Sequence, residues 1–266
     1  MEDEAQRGRA LIEPRRQSGE PVLSGPGLLL LNPADLRQAG ELLRQAGWRR
    51  RRLFHADLWQ DSASSAWLAG PAVGAPMAAL LLEKLLALGA DRVIAVGWAG
   101  GLQPDLEIGE LLLPTAAWSE EGTSSHYRQP PPRPGDGRPW LGDRPGPDGQ
   151  SEWPAHTRPD PELLAELAAF LRRRGAPPRQ GPVWTTDAPY RETVAKIQAY
   201  RRAGIYAVEM EFAALAAVAS FRQRELAAVL LISDQLHEQQ GWQPAFDRRE
   251  FRRRVRRLLT LLLEYL

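Results

Sequence analysis

Three short segments of this 266-residue chain combine residue types that could hold or react with a small molecule. They are Gly97-Trp98-Ala99-Gly100-Gly101, Glu209-Met210-Glu211 and Ser233-Asp234, and each directly follows an apolar run that reads as a strand. In open α/β sheets ligands bind beyond the carboxyl ends of strands, so the convergence of three such segments is stronger evidence than any one. Closely spaced glycines let backbone N–H groups gather around an anion. A carboxylate at a strand-to-helix junction either caps the helix or accepts hydrogen bonds from a ligand, and residue type alone leaves both open.

The elements that must position these segments alternate between strand and helix. Leu28-Leu29-Leu30-Leu31, after Gly25-Pro26-Gly27, reads as a buried strand, and Asn32-Pro33 opens a helix to about Ala46. Arg49 to Arg52 lead into a second strand at Leu53-Phe54, and residues 66–69 form a third. A turn-rich loop at 70–76 feeds an apolar helix over 77–88. Strands are predicted at 92–96, with the glycine-rich stretch as a turn at its end, and at 111–114. After a helix over 161–174, strands at 181–185, 205–208 and 226–232 alternate with helices over 190–202 and 210–221. The last helix carries Phe251, Val255, Leu258, Leu259, Leu262 and Leu266 as a core-facing stripe and a row of arginines opposite. This alternation predicts the α/β class: a three-layer α/β/α sandwich around a mixed, partly closed central sheet. Residues 20–266 read as a single domain with a Pro/Gly-rich excursion at about 129–161, preceded by a flexible arm at 1–19.

Composition narrows the chemistry. There is no cysteine, which removes disulfides, thiolate ligands and cysteine nucleophiles. The histidines (His55, His126, His156, His237) are widely spaced, so no metal site is expected. The formal net charge is +1, which gives no global field toward nucleic acid, and the arginine face of the last helix reads as solvated. No apolar run approaches the roughly 20 residues of a membrane span, and residues 1–19 lack the apolar middle of a signal peptide. A cytoplasmic protein with no membrane partner is the expectation.

Taken together the motifs resemble those of the purine nucleoside and uridine phosphorylase family. Gly97-Trp98-Ala99-Gly100-Gly101-Leu102, continuing through Pro104, Leu106, Gly109 and Glu110, is similar to its GxxGGL…P.L..GD signature. Gly122-Thr123-Ser124-Ser125-His126-Tyr127 resembles GTSxHY, and Thr185-Thr186-Asp187-Ala188-Pro189-Tyr190-Arg191 resembles TxDxxYR. Val208-Glu209-Met210-Glu211-Phe212-Ala213-Ala214-Leu215 matches VEMExAAL, and Ser233-Asp234 matches SD. The motifs stand in family order.

The resemblance implies a nucleoside phosphorylase-like fold, a homo-oligomer, and a glycosyltransferase that cleaves the N-glycosidic bond of a nucleoside. It implies Glu211 as acceptor for the ribose 2′ and 3′ hydroxyls, with Met210 packed on the sugar and Glu209 behind. Asp234 would assist the leaving base as an acid. Tyr190 would stack on the base, and His126 would reach the ribose 5′ side or a neighbouring subunit. No cofactor is implied beyond inorganic phosphate as co-substrate, beside Gly97 and Gly100. At that site the chain departs from the family. Where the pattern has RVGT, this chain has Ala95-Val96-Gly97-Trp98. The early GDPxR loop is degraded to Pro33-Ala34-Asp35-Leu36-Arg37, in which Arg37 is the surviving cation. Losing a guanidinium weakens the case for phosphate. Three readings follow: phosphorolysis, hydrolysis, or a nucleoside- or base-binding protein that has lost the chemistry.

Overall fold

The computed structural model describes residues 10–53, 55–127, 156–237 and 241–266. Most of the excursion predicted at 129–161, and the first half of the predicted arm, lie outside the described residues. Eleven strands form one mixed sheet in the order β11-β10-β6-β8-β9-β5-β1-β4-β3-β2, with the two-residue β7 (His156–Thr157) on β6. β10 (Glu225–His237) also pairs with β5 (Arg92–Gly101). The sheet therefore closes on itself through β5, β10, β6 (Leu111–Glu120), β8 (Arg179–Thr186) and β9 (Ala207–Glu209). The remainder, β1 (Pro26–Leu30), β4 (Trp67–Gly70), β3 (Ala56–Gln60) and β2 (Arg49–Leu53), fans out as an open edge.

Helices cover both faces, as the alternation predicts. Strand residues alternate between two cores because successive side chains point to opposite faces. Leu29, Val93, Ala95, Ala228 and Leu230 pack under α2 (Ala75–Ala87) and α5 (Phe212–Arg222). Leu28, Leu30, Ile94, Val229 and Leu231 pack under α1 (Pro33–Gln45), α3 (Pro161–Arg173) and α6 (Arg249–Tyr265). α4 (Val194–Arg202) closes a smaller cluster around Trp184, Tyr200 and Ile205.

Several boundaries differ from the sequence reading, for identifiable reasons. The glycine stretch 97–101 is the continuation of β5, not a turn. None of Gly97, Gly100 and Gly101 has a positive φ. They are glycine because neighbours press on the backbone: a Cβ on Gly97 would lie 2.8 Å from Leu31 Cδ1, and one on Gly100 would lie 3.0 Å from Asp234 Oδ2. β10 runs past Asp234 to His237 because β11 (Gly241–Pro244) folds back along it, a pairing without a hydrophobic signature. The helix expected from Tyr190 begins at Val194, after one 3₁₀ turn over Pro189–Arg191, because Thr193 supplies its cap to Lys196 N–H. The helix expected from Met210 begins at Phe212. Three strands carried too little pattern to be read: β3, five residues long, the two-residue β7 and β11.

Candidate active site

The three segments singled out by sequence meet at one cavity of about 430 Å³, at the carboxyl ends of β1, β5, β9 and, through Ser233 and Asp234, on β10. Trp98, Ala99 and Gly100 form one wall, Glu209-Met210-Glu211 a second, and Ser233 and Asp234 a third. Asn32, Val73, Tyr190, Glu192, Leu236 and Trp242 complete it.

The carboxylates of the second wall are built into the backbone. Glu209 ends β9, and its Oε2 accepts from the N–H groups of Glu211 and Phe212 at 2.7 Å each. Its other oxygen accepts from the Thr185 hydroxyl, which itself accepts from Ala213 N–H. Glu209 is thus the capping carboxylate of α5, on two of the orphan N–H groups every helix start presents. Glu211, at the cap position, makes no such bond. Its Oε1 reaches across to accept from Gly74 N–H at 2.6 Å, at the start of α2. Both carboxyls are buried. Burial pushes Glu211 up from the ordinary carboxylate range and the charge of Glu209 pushes it further. Burial raises Glu209 as well, but Thr185 and two backbone donors oppose it. The donors favour Glu209 as the charged member of the pair. Sequence left open which glutamate caps and which is free for a ligand. The geometry divides the roles.

Asp234 reaches the cavity through a bulge. β5 and β10 run in register up to Ala99 with Ile232, and then Gly100 pairs with Asp234, so Ser233 is extra. A bulge re-aims side chains at the edge of a site. Both Asp234 oxygens are occupied: Oδ1 accepts from Ser233 Oγ at 2.5 Å and Oδ2 from Trp242 Nε1 at 2.8 Å. Gly100 leaves the space that the carboxylate uses.

Trp98 lines the cavity but sends its indole N–H to Asp35 Oδ1 at 3.1 Å. Its ring stacks on Phe246 and meets Phe251 edge-on. Asp35 is 2% exposed, and burial pushes its carboxyl up to about 7, against the Trp98 hydrogen bond. Arg37 does not line the cavity and is exposed. The reason is helix geometry: residues two apart lie about 200° apart around the axis, so with Asp35 inward Arg37 faces out. His126 is also outside the cavity. Its segment is a 3₁₀ turn, Ser124–Tyr127, held from inside by Glu121, which accepts from the N–H groups of Thr123 and Ser124. Tyr127 packs edge-on against Phe221 of α5 and His126 is exposed. Tyr190 stands at the rim and is 99% exposed.

Sequence reasoning missed Glu192, Trp242, Asn32 and the backbone of Gly74. Glu192 directly follows the TxDxxYR stretch, and only that adjacency could have flagged it. Its carboxyl lies partly buried in the wall and is pushed up to about 7 by burial, then by the nearby charges of Asp234 and Glu120, against Lys196. Among the described residues no group of three or more His, Asp or Glu could hold a metal ion, and no helix is long and apolar enough to cross a membrane.

This arrangement can be set beside known proteins. A guanosine phosphorylase from Halorubrum lacusprofundi is 27% identical over 203 residues, 76% of this chain and 73% of that protein. A uridine phosphorylase from Thermococcus kodakarensis is 47% identical over 55 residues, 21% of this chain and 20% of that protein. The crystal structure of uridine phosphorylase from Vibrio fischeri aligns with a TM-score of 0.69 at 20% identity, over 94% of this chain and 98% of that one. A 5'-methylthioadenosine/S-adenosyl homocysteine nucleosidase from Campylobacter jejuni aligns with a TM-score of 0.68 at 19% identity, over 90% and 96%. At such identities these structures establish a shared fold. The family model described as Phosphorylase superfamily matches residues 39–266, and this chain belongs to that superfamily.

Proposed function

We propose that this protein cleaves the N-glycosidic bond of a nucleoside with water as the attacking oxygen nucleophile. One observation carries the choice of water. Among the described residues lining the cavity are four carboxyls (Glu192, Glu209, Glu211 and Asp234) and no arginine, lysine or histidine. A ribosyl group turning cationic in the transition state gains from such walls. A phosphate dianion is repelled by those that are ionised and finds no guanidinium among the described lining residues. Asp35 adds a further acidic group behind that wall, accepting from the Trp98 indole N–H.

Glu211 is the ribose acceptor in this reading, since its second oxygen is not used by the hydrogen bond to Gly74. Met210 supplies an adaptable apolar surface to the sugar, and Glu209 fixes the turn that presents both. Asp234 faces the base side with Glu192, and Tyr190 closes the mouth over the base. Phosphorolysis is the second reading, favoured by the similarity to a guanosine phosphorylase. It requires a cation from beyond the described lining, such as one on a second copy covering the rim.

Release of base from a panel of purine and pyrimidine nucleosides, with and without phosphate, tests this. The expected outcome is a rate independent of phosphate, with free ribose as the sugar product. Ribose 1-phosphate and an absolute phosphate requirement would replace hydrolysis by phosphorolysis. No base released under either condition would remove both.

A further inference from the structure

We propose that Glu192 carries the proton that the departing base takes up, from the cavity lining it shares with Asp234. The proposal rests on the glycosidic reading above and adds a catalytic residue that neither the motifs nor the resemblance assigned. It follows from how the cavity's carboxyls are committed. Glu209 accepts from Thr185 and from two backbone N–H groups, and Glu211 accepts from Gly74. Asp234 accepts on both oxygens, from Ser233 and from Trp242. Each oxygen of Asp234 is thus already engaged by a donor from the protein. The Glu192 carboxyl accepts no hydrogen bond from a described residue and lines the same cavity.

The groups that act on Glu192 come from three elements. Asp234 on β10 and Glu120 at the end of β6 favour its neutral form, and Lys196 on α4 opposes them. Lys196 is itself engaged, its Nζ lying 2.6 Å from Glu120 Oε1. An acid with a pKa near the working pH is the form in which a carboxyl serves best as a proton donor.

The step balances as follows. The C1′–N bond breaks and its electron pair stays on the base. A proton passes from the Glu192 carboxyl to a ring nitrogen or carbonyl oxygen of the base, leaving Glu192 as carboxylate. C1′ takes the oxygen of water, and the proton released from that water returns the carboxyl to its starting state through solvent.

The test compares two classes of substrate in the full chain. One is a nucleoside the enzyme turns over. The other is 4-nitrophenyl β-D-ribofuranoside, whose leaving group departs as a stable anion and needs no proton. Glu192→Gln is expected to lower kcat on the nucleoside by about 100-fold and to leave kcat on the nitrophenyl riboside nearly unchanged. Wild-type kcat/KM on the nucleoside is expected to fall as pH rises through about 7. That limb should be absent in Glu192→Gln and retained in Glu192→Asp. Asp234→Asn, which removes the charge that raises Glu192, should move the limb to lower pH. Equal losses on both substrates in Glu192→Gln would make the residue structural and overturn the proposal. So would an alkaline limb abolished by Asp234→Asn and kept in Glu192→Gln. If the wild type cleaves both substrates and Glu192→Gln matches it, the proton carrier is wrong and the glycosidic reading stands. If the wild type cleaves neither, both fall.

Discussion

Glu209 and Glu211 stand two positions apart, yet their surroundings give them different work. Glu209 spends its oxygens on Thr185 and on the first N–H groups of α5, while Glu211 reaches Gly74 with one oxygen. The two substitutions should therefore fail differently. Glu211→Gln keeps an amide oxygen for Gly74 N–H and turns an NH2 in place of the carboxyl oxygen toward the sugar hydroxyls. A hydrogen bond contributes about 0.5–1.5 kcal/mol, so kcat/KM should fall by about 2- to 10-fold with the unfolding midpoint nearly unchanged. Glu209→Ala removes the cap and leaves buried N–H groups without an acceptor, so it should lower stability by about 1–3 kcal/mol in a urea titration. A Glu211→Gln variant that unfolds as readily as Glu209→Ala would refute the division. Gly100 offers a third probe. A Cβ there would lie 3.0 Å from Asp234 Oδ2, 3.3 Å from Leu236 Cδ1 and 3.3 Å from Val208 Cγ1. Gly100→Ala should displace Asp234 from Trp242 and cost activity well beyond its cost in stability, measured as kcat/KM against unfolding midpoint.

At the scale of elements, the helices announced themselves more clearly than the strands. Asn32 before Pro33 and Asp160 before Pro161 are cap-and-proline pairs, and both helices start there, with Asn32 accepting from Ala34 N–H and Asp160 from Glu162 and Leu163. Asp160→Ala should accordingly cost about 1 kcal/mol in unfolding free energy, with no effect on turnover. The strands on the sheet interior were visible as apolar runs because they are buried on both faces. Their ends were not, because what extends them is pairing between segments distant in sequence: β5 continues through its glycines because β10 and β9 bond to it there. The same distinction governs the site. The motif residues at 97–101, 209–211 and 233–234 were legible as a set, and the fold brings 98–100, 209–211 and 233–234 to one cavity, while Gly97 packs against Leu31 and Leu230 and does not line it. Glu192 and Trp242 were not, since what sets them in the lining is their placement near Asp234, which Trp242 meets by a hydrogen bond and Glu192 by charge, and no local spacing encodes that. Arg37 looked like the surviving cation in the sequence, but a helix turns it away when Asp35 is inside.

The whole molecule carries an unusual load of buried acid at one end of its sheet. Asp35 and Glu192 are each pushed up to about 7, and burial raises Glu209 and Glu211. A carboxyl whose folded pKa lies above its unfolded value binds its proton more tightly when folded. The native state then holds more protons than the unfolded chain between the two values, and stability falls as pH rises through that window. These groups therefore favour the fold at mildly acidic pH and withdraw that support between about 4 and about 7 for Asp35, whose ordinary value is 3.8. The depressed carboxyls act in the opposite sense. Glu20 is held down by Lys84, and Asp105 by Arg179, but both are close to solvent and screening leaves such pairs little weight. The buried set should dominate, and Asp35 is the member that can be removed cleanly because it does not line the cavity. Asp35→Asn preserves the size of the side chain and an oxygen for the Trp98 N–H. Near pH 4, where the native wild-type carboxyl is protonated, the two proteins should unfold at similar urea concentrations. By pH 8 the wild type pays for burying a charge the variant lacks, and the variant should be more stable by about 1–4 kcal/mol. Equal pH dependence in the two proteins would show that Asp35 titrates as an ordinary carboxyl and that the acidic end of the sheet is better hydrated than its burial implies.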